Sequence, residues 1–260
     1  MAFPTWTTLA MGGALGAVIG FAALSSIEPA PARAEARGNP VVVELFTSQS
    51  CYSCPPAEAY LNELAGERDD VIALEWHVDY WDRLVYRGSA WKDVFSDPAF
   101  TERQRLYAGQ VKGRGYSYTP QIVIDGTREA VGTDRTAVTA AIRAAAAEPR
   151  LSVRATSQKT GALDIAVDGS GDGNAAIWVV NYLTSHTTDV VAGENKGKTL
   201  ANNFVVRNIE RVGAWEGSPT AVSVPLALEP GHGCVVLVQS DALGPVLGAA
   251  RCTDEDAGPS

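Results

Sequence analysis

Two cysteines separated by two residues are the feature of this sequence best suited to chemistry. They stand in the segment CYSC at residues 51–54. A CxxC pair at the start of a helix supports thiol–disulfide exchange, because unpaired backbone N–H groups and the helix dipole stabilise the thiolate of the first cysteine. We therefore expect Cys51 to face solvent and attack, and Cys54 to resolve the mixed disulfide. Tyr52 and Ser53 supply no positive charge, so this thiolate is expected to resemble that of a reductant or isomerase.

Two other roles for the cysteine pair stay open. The pair can form an inert disulfide clip. Alternatively, His77, at the end of an apolar run, can join Cys51 and Cys54 in a soft site for copper or zinc. A hydrogen-bonded structural histidine is an equally good interpretation of His77.

The residues around the pair indicate a βαβ unit. Residues 41–46 (VVVELF) form a β-branched and aromatic run suited to a buried strand, and residues 71–78 form a second apolar run. Between them, Pro55 and Pro56 fit only the first turn of a helix. The apolar face of that helix is formed by Ala57, Tyr60, Leu61, Leu64 and Ala65. Strand, helix and strand follow one another with short connections, as a right-handed parallel crossover requires, and the CxxC then lies at the helix N-terminus.

An aromatic and charged segment follows the second strand. Residues 80–118 include Trp81, and Asp97-Pro98 predicts the start of a helix within them. We interpret this segment as a helical insertion. Its aromatic side chains either pack as core and lid or form a surface that binds substrate, with Trp81 as the candidate for substrate contact.

A hairpin and a closing helix complete the first predicted domain, residues 35–149. Thr119-Pro120 precedes residues 121–124 (QIVI), and a DG turn separates these from residues 129–131, as in a tight antiparallel hairpin. Either residue of the TD pair at 133–134 can cap the closing helix.

Beyond residue 150 the apolar period changes to two. Short apolar runs alternate with Gly-rich turns as far as residue 251, which predicts a β-sandwich-like C-terminal domain over residues 150–260. If the run at 233–240 returns into the run that begins at Val246, pairing Ser240 with Val246 sets Cys234 opposite Cys252. Opposed Cβ atoms are close enough for a disulfide, so we predict a cross-strand bond here.

Composition and the N-terminal segment limit the class of protein. The 260 residues are 46% hydrophobic and carry a net charge of −9, so a globular core is expected and binding to nucleic acid or anionic lipid is disfavoured. The mean hydropathy of −0.02 excludes a polytopic membrane protein. Residues 1–27 are uncharged and precede an Ala-Arg-Ala site, which predicts a signal peptide over residues 1–34, or else an uncleaved anchor. An exported protein with four cysteines is expected to hold disulfides.

Several motifs resemble those of one bacterial family. These are residues 44–56 (ELFTSQSCYSCPP), 77–82 (HVDYWD), 103–104 (RQ), 118–126 (YTPQIVIDG), 193–200 (GENKGKTL) and 203–207 (NFVVR). The family is one of secreted thioredoxin-like proteins, catalogued as a domain of unknown function, and the similarity covers most of the chain beyond the signal segment.

The resemblance implies a thioredoxin-like α/β domain with a dithiol and no known substrate. It also implies that the Thr119-Pro120 bond is cis, with Pro120 facing the dithiol and Thr119 offering its backbone to an extended substrate. One departure is that Glu44 stands seven residues before Cys51, whereas the buried acid of thioredoxins stands six before their first cysteine.

Together these observations predict a periplasmic or secreted thiol:disulfide oxidoreductase. Its partners would be protein thiols or disulfides of the cell envelope, and no cofactor is expected. The alternative is a non-catalytic envelope binding module that holds a metal at Cys51, Cys54 and His77, a peptide or another envelope component.

Overall fold

A computed structural model of the chain describes residues 39–111 and 115–255. Alternating and continuous apolar runs form most of the secondary structure in these residues. The predicted signal segment lies outside the described residues. The elements are β1 (Val41–Thr47), α1 (Pro55–Glu67), β2 (Val71–His77), α2 (Pro98–Gln110), β3 (Gln121–Ile124), β4 (Arg128–Val131), α3 (Arg135–Ala146), β5 (Ser152–Ser157), β6 (Ala162–Asp168), β7 (Ala175–Asp189), β8 (Thr199–Trp215), β9 (Thr220–Pro225), β10 (His232–Ser240), β11 (Val246–Arg251) and β12 (Thr253–Asp254).

The strands of the described chain form two open sheets. The larger has eight strands in the order β11-β10-β7-β8-β2-β1-β3-β4, and the smaller has the order β12-β5-β6-β9. Strands β1 and β2 are parallel and in register from Val41 opposite Val71 to Thr47 opposite His77, with α1 between them in sequence. The predicted βαβ unit is therefore confirmed.

The large sheet joins strands from both sides of residue 150. β8 runs parallel to β2 and pairs with it at Glu75 and Val205. Residue 150 therefore separates two sets of strands that share one sheet. Part of the predicted C-terminal region does form a sandwich. In it, β5, β6 and β9 of the small sheet pack against β7 and β10 of the large sheet. The core between the two sheets includes Val153, Leu163, Ile165, Ile177 and Val236.

Helices cover both faces of the β1–β2 region. α1 and α3 pack on one face, where Leu61 and Ile142 are fully buried, and α2 packs on the other through Phe100 and Tyr107. The predicted starts of α2 and α3 are confirmed: the side chain of Asp97 accepts a hydrogen bond from the Ala99 N–H and that of Asp134 accepts one from the Ala137 N–H. Residues 80–97 are largely irregular, so the helical part of the predicted insertion is α2 alone.

A buried ion pair attaches α2 to the sheet. Both carboxylate oxygens of Glu44 on β1 accept hydrogen bonds from Arg103 on α2, at 2.7 and 3.1 Å. The Tyr107 hydroxyl donates to Glu44 at 2.6 Å, and Gln239 on β10 bonds to both Arg103 and Tyr107. Glu44 therefore has a structural role, because its buried carboxylate is paired with Arg103 and hydrogen-bonded, as a buried carboxylate must be.

The second cysteine pair has the predicted cross-strand geometry. Val235 lies opposite Arg251, the neighbouring Cys234 and Cys252 are bonded, and their Cα atoms are 5.4 Å apart. A bulge between Val238 and Gln239 shifts the register near the turn by one residue. Val246 is thus opposite Gln239 and not Ser240, but the pairing at the cysteines is unaffected.

We expect the variant Cys234→Ala/Cys252→Ala to lose roughly 3 kcal/mol of unfolding free energy, because the bond closes a loop with a sequence separation of 18 residues. Urea denaturation of the oxidised proteins measures this loss. Each single variant should lose about as much as the double variant, since either removes the same bond. Mass mapping that finds both thiols free in the exported protein would contradict the pairing.

Candidate functional site

The turn after β1 places the first cysteine pair at the head of a helix. Cys51 N–H donates to the Ser48 carbonyl at 3.0 Å, and Cys54 N–H donates to the Cys51 carbonyl at 3.2 Å. Cys54 is the N-cap residue of α1, without a capping bond from its side chain, and Pro55 is the first residue of the helix. Proline suits this position because its φ is helical and its missing N–H would have no partner within the helix. The pair therefore lies at the carboxyl end of β1.

Cys51 and Cys54 form a disulfide with a Cα–Cα distance of 5.4 Å. Both residues have 0% of their surface exposed, although Tyr52 between them is 65% exposed. The Ser53 hydroxyl lies 3.5 Å from the Cys51 sulfur. The expectation that Cys51 faces solvent is thus wrong for this oxidised state, because another part of the chain covers it.

Part of the cover is the loop between β7 and β8, residues 190–198, which we call the 190s loop. Its Asn195 side chain donates to the carbonyls of Gln49 and Cys51, at 2.9 and 3.0 Å. Its Glu194 carboxylate accepts a hydrogen bond from the Tyr52 N–H at 3.0 Å. The loop thus binds the backbone on both sides of the first cysteine, across more than 140 positions of sequence.

Gln49 connects the disulfide segment to both of its neighbours. The Gln49 N–H donates to Asp93 at 2.7 Å, and its side-chain amide donates to Thr188 on β7 and Asn202 on β8. Trp91 donates to the Gln49 side-chain oxygen at 3.2 Å. Every polar group of Gln49 is therefore bonded, as a fully buried amide requires.

Behind this segment lies a cluster of buried ionisable groups. Burial, followed by the charge of Glu75, raises the pKa of Glu58 on α1 to about 8. Burial likewise raises the pKa of Glu75. Burial alone would lower the pKa of His77, but Asp93 and then Glu75 raise it to about 10. Burial would raise the pKa of Asp93, but His77 lowers it. Near neutral pH, His77 and Asp93 therefore form an ion pair and Glu58 keeps its proton.

The geometry of His77 bears on the metal alternative. Its Nδ1 lies 2.7 Å from Asp93 and its Nε2 lies 3.5 Å from Glu75. Within the described residues, no three His, Cys, Asp or Glu side chains form a group able to hold a metal ion. His77 is thus placed with carboxylates and not with Cys51 and Cys54.

The other predicted site residues lie beside α1 and α2. The Thr119–Pro120 bond is cis, as predicted. The Trp81 indole N–H donates to the Thr119 hydroxyl at 2.7 Å, so these two residues are in contact. The Cβ atoms of Pro120 and Ala57 lie 3.1 and 2.9 Å from the position that a Cβ on Gly132 would take, which places Pro120 next to the first turn of α1.

Sequence reasoning missed five residues of this site: Gln49, Glu58, Asp93, Glu194 and Asn195. Two of the motifs, residues 44–56 and 193–200, contain three of them, namely Gln49, Glu194 and Asn195. The structure brings these two motifs together, a contact that neither motif indicates by itself.

Fold and site define a mixed α/β protein, mostly of strands, with a CxxC disulfide at the head of a helix. The chain belongs to the family described as "Protein of unknown function (DUF1223)", which matches residues 42–239.

A crystal structure of a protein from Agrobacterium tumefaciens, a structural genomics target, is similar to this chain. The two are 29% identical with a TM-score of 0.69, over 85% of this chain and 96% of the other. A second match is an endonuclease/exonuclease/phosphatase from Beutenbergia cavernae at 17% identity and a TM-score of 0.15, over 36% of this chain and 20% of that one. The comparison with curated proteins finds no match.

We expect the variant Glu58→Gln to reduce the dependence of stability on pH. The folded protein holds a proton on Glu58 that the unfolded chain releases above about pH 4.5, so this stabilisation is complete below pH 4.5 and is lost as the pH rises through about 8. Glutamine cannot ionise, so the variant should lose roughly 3–5 kcal/mol less unfolding free energy than the wild type between pH 5 and pH 9.

Chemical denaturation at several pH values measures this difference. The control is Glu67→Gln, an exposed position on the same helix, which should follow the wild-type curve. Parallel curves for Glu58→Gln and wild type would show that Glu58 ionises normally.

Proposed function

We propose that this protein is an exported thiol:disulfide oxidoreductase with a thioredoxin-like domain, acting on protein thiols or disulfides through Cys51 and Cys54. The observation that carries the proposal is the disulfide between these residues at the head of α1, with the cis-bonded Pro120 next to the same helix. A disulfide closed over so few residues constrains little of the unfolded chain, so stability alone is a weak reason for it.

The order of elements around the cysteines supports the thioredoxin-like assignment. Parallel β1 and β2 flank α1, α2 follows, and the cis Thr119–Pro120 bond leads into the antiparallel β3–β4 hairpin and α3. In this proposal Thr119 and Trp81, which bond to each other, contact the substrate, and Pro120 packs beside the dithiol. The DUF1223 family has no known function, so the thioredoxin-like assignment is our own proposal.

The proposed exchange conserves electrons between two couples. The reduced Cys51 thiolate attacks one sulfur of a substrate disulfide, that bond breaks, and the second substrate sulfur leaves as a thiolate that takes a proton. The Cys54 thiolate then attacks the Cys51 sulfur of the mixed disulfide and releases the first substrate sulfur. The substrate gains two electrons and the Cys51–Cys54 disulfide forms. The reverse sequence oxidises a substrate dithiol, and the potentials of the two couples set the direction.

We assign Glu58 the exchange of a proton with Cys54: its protonated carboxyl gives the proton to the Cys54 thiolate when the disulfide is reduced, and takes it back when Cys54 attacks the mixed disulfide. Glu58 stands one helical turn after Cys54, and its N–H donates to the Cys54 carbonyl at 3.1 Å. Its carboxyl is buried and accepts a hydrogen bond from Thr47 at 2.6 Å. A pKa of about 8 is close to that of a thiol, so a proton can pass between Cys54 and Glu58 with little change in free energy.

Export is supported by the two disulfides, because disulfides persist mainly in oxidising compartments. The predicted signal peptide, residues 1–34, agrees with this. Among the residues that the structure describes, no helix is long and apolar enough to span a membrane. The two disulfides and the predicted signal peptide support a location in the periplasm or outside the cell.

One observation favours a second candidate, a non-catalytic binding module of the envelope. Both cysteines are completely buried in the oxidised state, so a substrate sulfur cannot reach Cys51 without movement of the residues that cover it. In this alternative the disulfide only fixes the turn before α1. A metal at Cys51, Cys54 and His77 is not supported by the position of His77.

We expect the variant Cys54→Ala, produced with its N-terminal segment in the native cell, to accumulate mixed disulfides with envelope proteins through Cys51. Without a resolving thiol the intermediate persists. Non-reducing electrophoresis and mass spectrometry identify the trapped partners. The control is Cys51→Ala/Cys54→Ala, which should trap none. Equal recovery from both variants would favour the binding module.

In the reduced protein we expect Cys51 to react with an alkylating agent faster than Cys54, because Cys54 is enclosed by the first turn of α1. Rates measured against pH on the single variants Cys51→Ala and Cys54→Ala compare the two thiols. Faster reaction at Cys54, or free-cysteine behaviour at both, would refute the assignment of Cys51 as nucleophile.

A further inference from the structure

The 190s loop covers the disulfide through hydrogen bonds to the backbone of residues 49–52. Its two side chains Asn195 and Glu194 bind three backbone groups of residues 49–52, namely two carbonyls and the Tyr52 N–H. Asn195 is itself completely buried, and its side-chain oxygen accepts a hydrogen bond from Lys198 at 2.8 Å. These bonds join the loop to the cysteine segment directly, through no intermediate element.

The loop backbone also approaches the segment closely. Gly193 has a φ of +73°, and a Cβ at this position would lie 3.0 Å from the Trp91 Cβ and 3.6 Å from the Ser50 hydroxyl. Trp91 in turn accepts a hydrogen bond from Ser50 on its carbonyl, at 3.0 Å. Glycine is required here because both the positive φ and the close approach disfavour a side chain.

Internal hydrogen bonds make the loop a unit of its own. Val190 N–H donates to the Lys198 carbonyl at 2.9 Å, and Gly197 N–H donates to the Val190 carbonyl at 2.7 Å. Because these bonds close the base of the loop, its contacts with residues 49–52 can break while the β7–β8 ladder stays intact.

Two charged side chains of the loop, of opposite sign, contact Tyr52, the residue next to the first cysteine. The Glu194 carboxylate is bonded to the residue next to Cys51 and occupies an N–H group that could otherwise stabilise a thiolate. The Lys198 ammonium lies 4.2 Å from the centre of the Tyr52 ring. Behind this segment lie the ionisable groups Glu58 on α1, Glu75 on β2 and the His77–Asp93 ion pair.

From these observations we propose that Asn195 and Glu194 are positioning residues that control the Cys51–Cys54 site. Asn195 holds the cover closed over the disulfide, and Glu194 opposes the Cys51 thiolate by its charge and by its hold on the Tyr52 N–H. A substrate must displace the 190s loop, so the loop selects for proteins that can compete for the backbone of residues 49–52. This inference rests on the proposed function, but its tests measure the reactivity of the cysteines and do not require catalytic activity.

The first test measures the second-order rate at which dithiothreitol reduces each disulfide. Its thiolate attacks a cysteine sulfur, the S–S bond breaks, and its second thiol completes the transfer of two electrons. We expect Asn195→Ala to accelerate reduction of Cys51–Cys54 by about tenfold or more, because two buried hydrogen bonds are lost. The matched control is Lys196→Ala, an exposed position in the same loop, which should react like the wild type.

The Cys234–Cys252 disulfide is an internal control in the same sample. Its reduction rate should not change in Asn195→Ala. If both disulfides are reduced faster in the same proportion, the variant acts by global unfolding and the proposal is wrong. An unchanged rate at Cys51–Cys54 also overturns it.

The second test follows alkylation of Cys51 against pH in the reduced Cys54→Ala background. Glu194→Gln keeps the shape of the side chain and removes its charge, so the thiolate fraction at a given pH should rise by about two- to fivefold. Glu194→Asp retains the charge and should behave more like the wild type, and Lys198→Gln should shift the profile in the opposite direction. A purely structural role would give no such ordering by charge, and identical profiles for all four proteins would refute the role of Glu194.

The results separate this inference from the proposed function. If the loop variants change reduction and alkylation as expected while Cys54→Ala traps no partner, the loop controls the disulfide but the oxidoreductase proposal fails. If partners are trapped and the loop variants change nothing, only the present inference fails.

Discussion

Full burial of the chain between β1 and the first cysteine constrains the rest of this structure. Residues 48–51 are irregular and at most 3% exposed, so their backbone polar groups can use neither a sheet ladder nor water. A buried N–H or C=O without a partner costs free energy comparable to a lost hydrogen bond, so the groups that the turn itself leaves unpaired must find partners on other side chains. Asp93 and Asn195 do so for Gln49 and Cys51. The position of the disulfide therefore depends on two segments that are remote in sequence.

This requirement explains the otherwise costly cluster of charges near the cysteines. Asp93 is buried because its carboxylate accepts from the Gln49 N–H, and a buried carboxylate needs a positive partner, which is His77. His77 in turn lies near Glu75, whose carboxyl group faces the same interior as Glu58. One backbone hydrogen bond at the cysteine segment thus leads to a chain of coupled ionisable groups. A buried carboxyl, that of Glu58, with its pKa raised to about 8 is a consequence of this arrangement.

Local sequence patterns predicted the helices and strands. They could not predict which strands pair across long distances in the sequence. The strands β1 and β2, the starts of α2 and α3 at Asp97 and Asp134, and the Cys234–Cys252 bond all follow from periodicity, capping residues or simple register. No local pattern predicts that β8 pairs with β2 at Glu75 and Val205, because the sequence of β8 fits a strand of a separate sandwich equally well. Gln49 resembles an exposed turn residue, and Glu58 falls outside the apolar face of α1 as the sequence indicates it. Their burial arises only when the 190s loop, Trp91 and β2 pack around them.

The same pairing of β2 with β8 gives the C-terminal half a direct connection to the cysteine site. β7 and β8 belong to the sheet that contains β1, and the bonds from Asn195 to the Gln49 and Cys51 carbonyls show that the loop joining them reaches the carboxyl end of β1, where the disulfide lies. A separate domain on a flexible linker could reach this site only transiently, at a cost in conformational entropy. The shared sheet fixes the loop in place before any partner arrives, so the covered state is stabilised by hydrogen bonds to a rigid frame. Opening then requires breaking the hydrogen bonds of Asn195 and Glu194 to the backbone of residues 49–52.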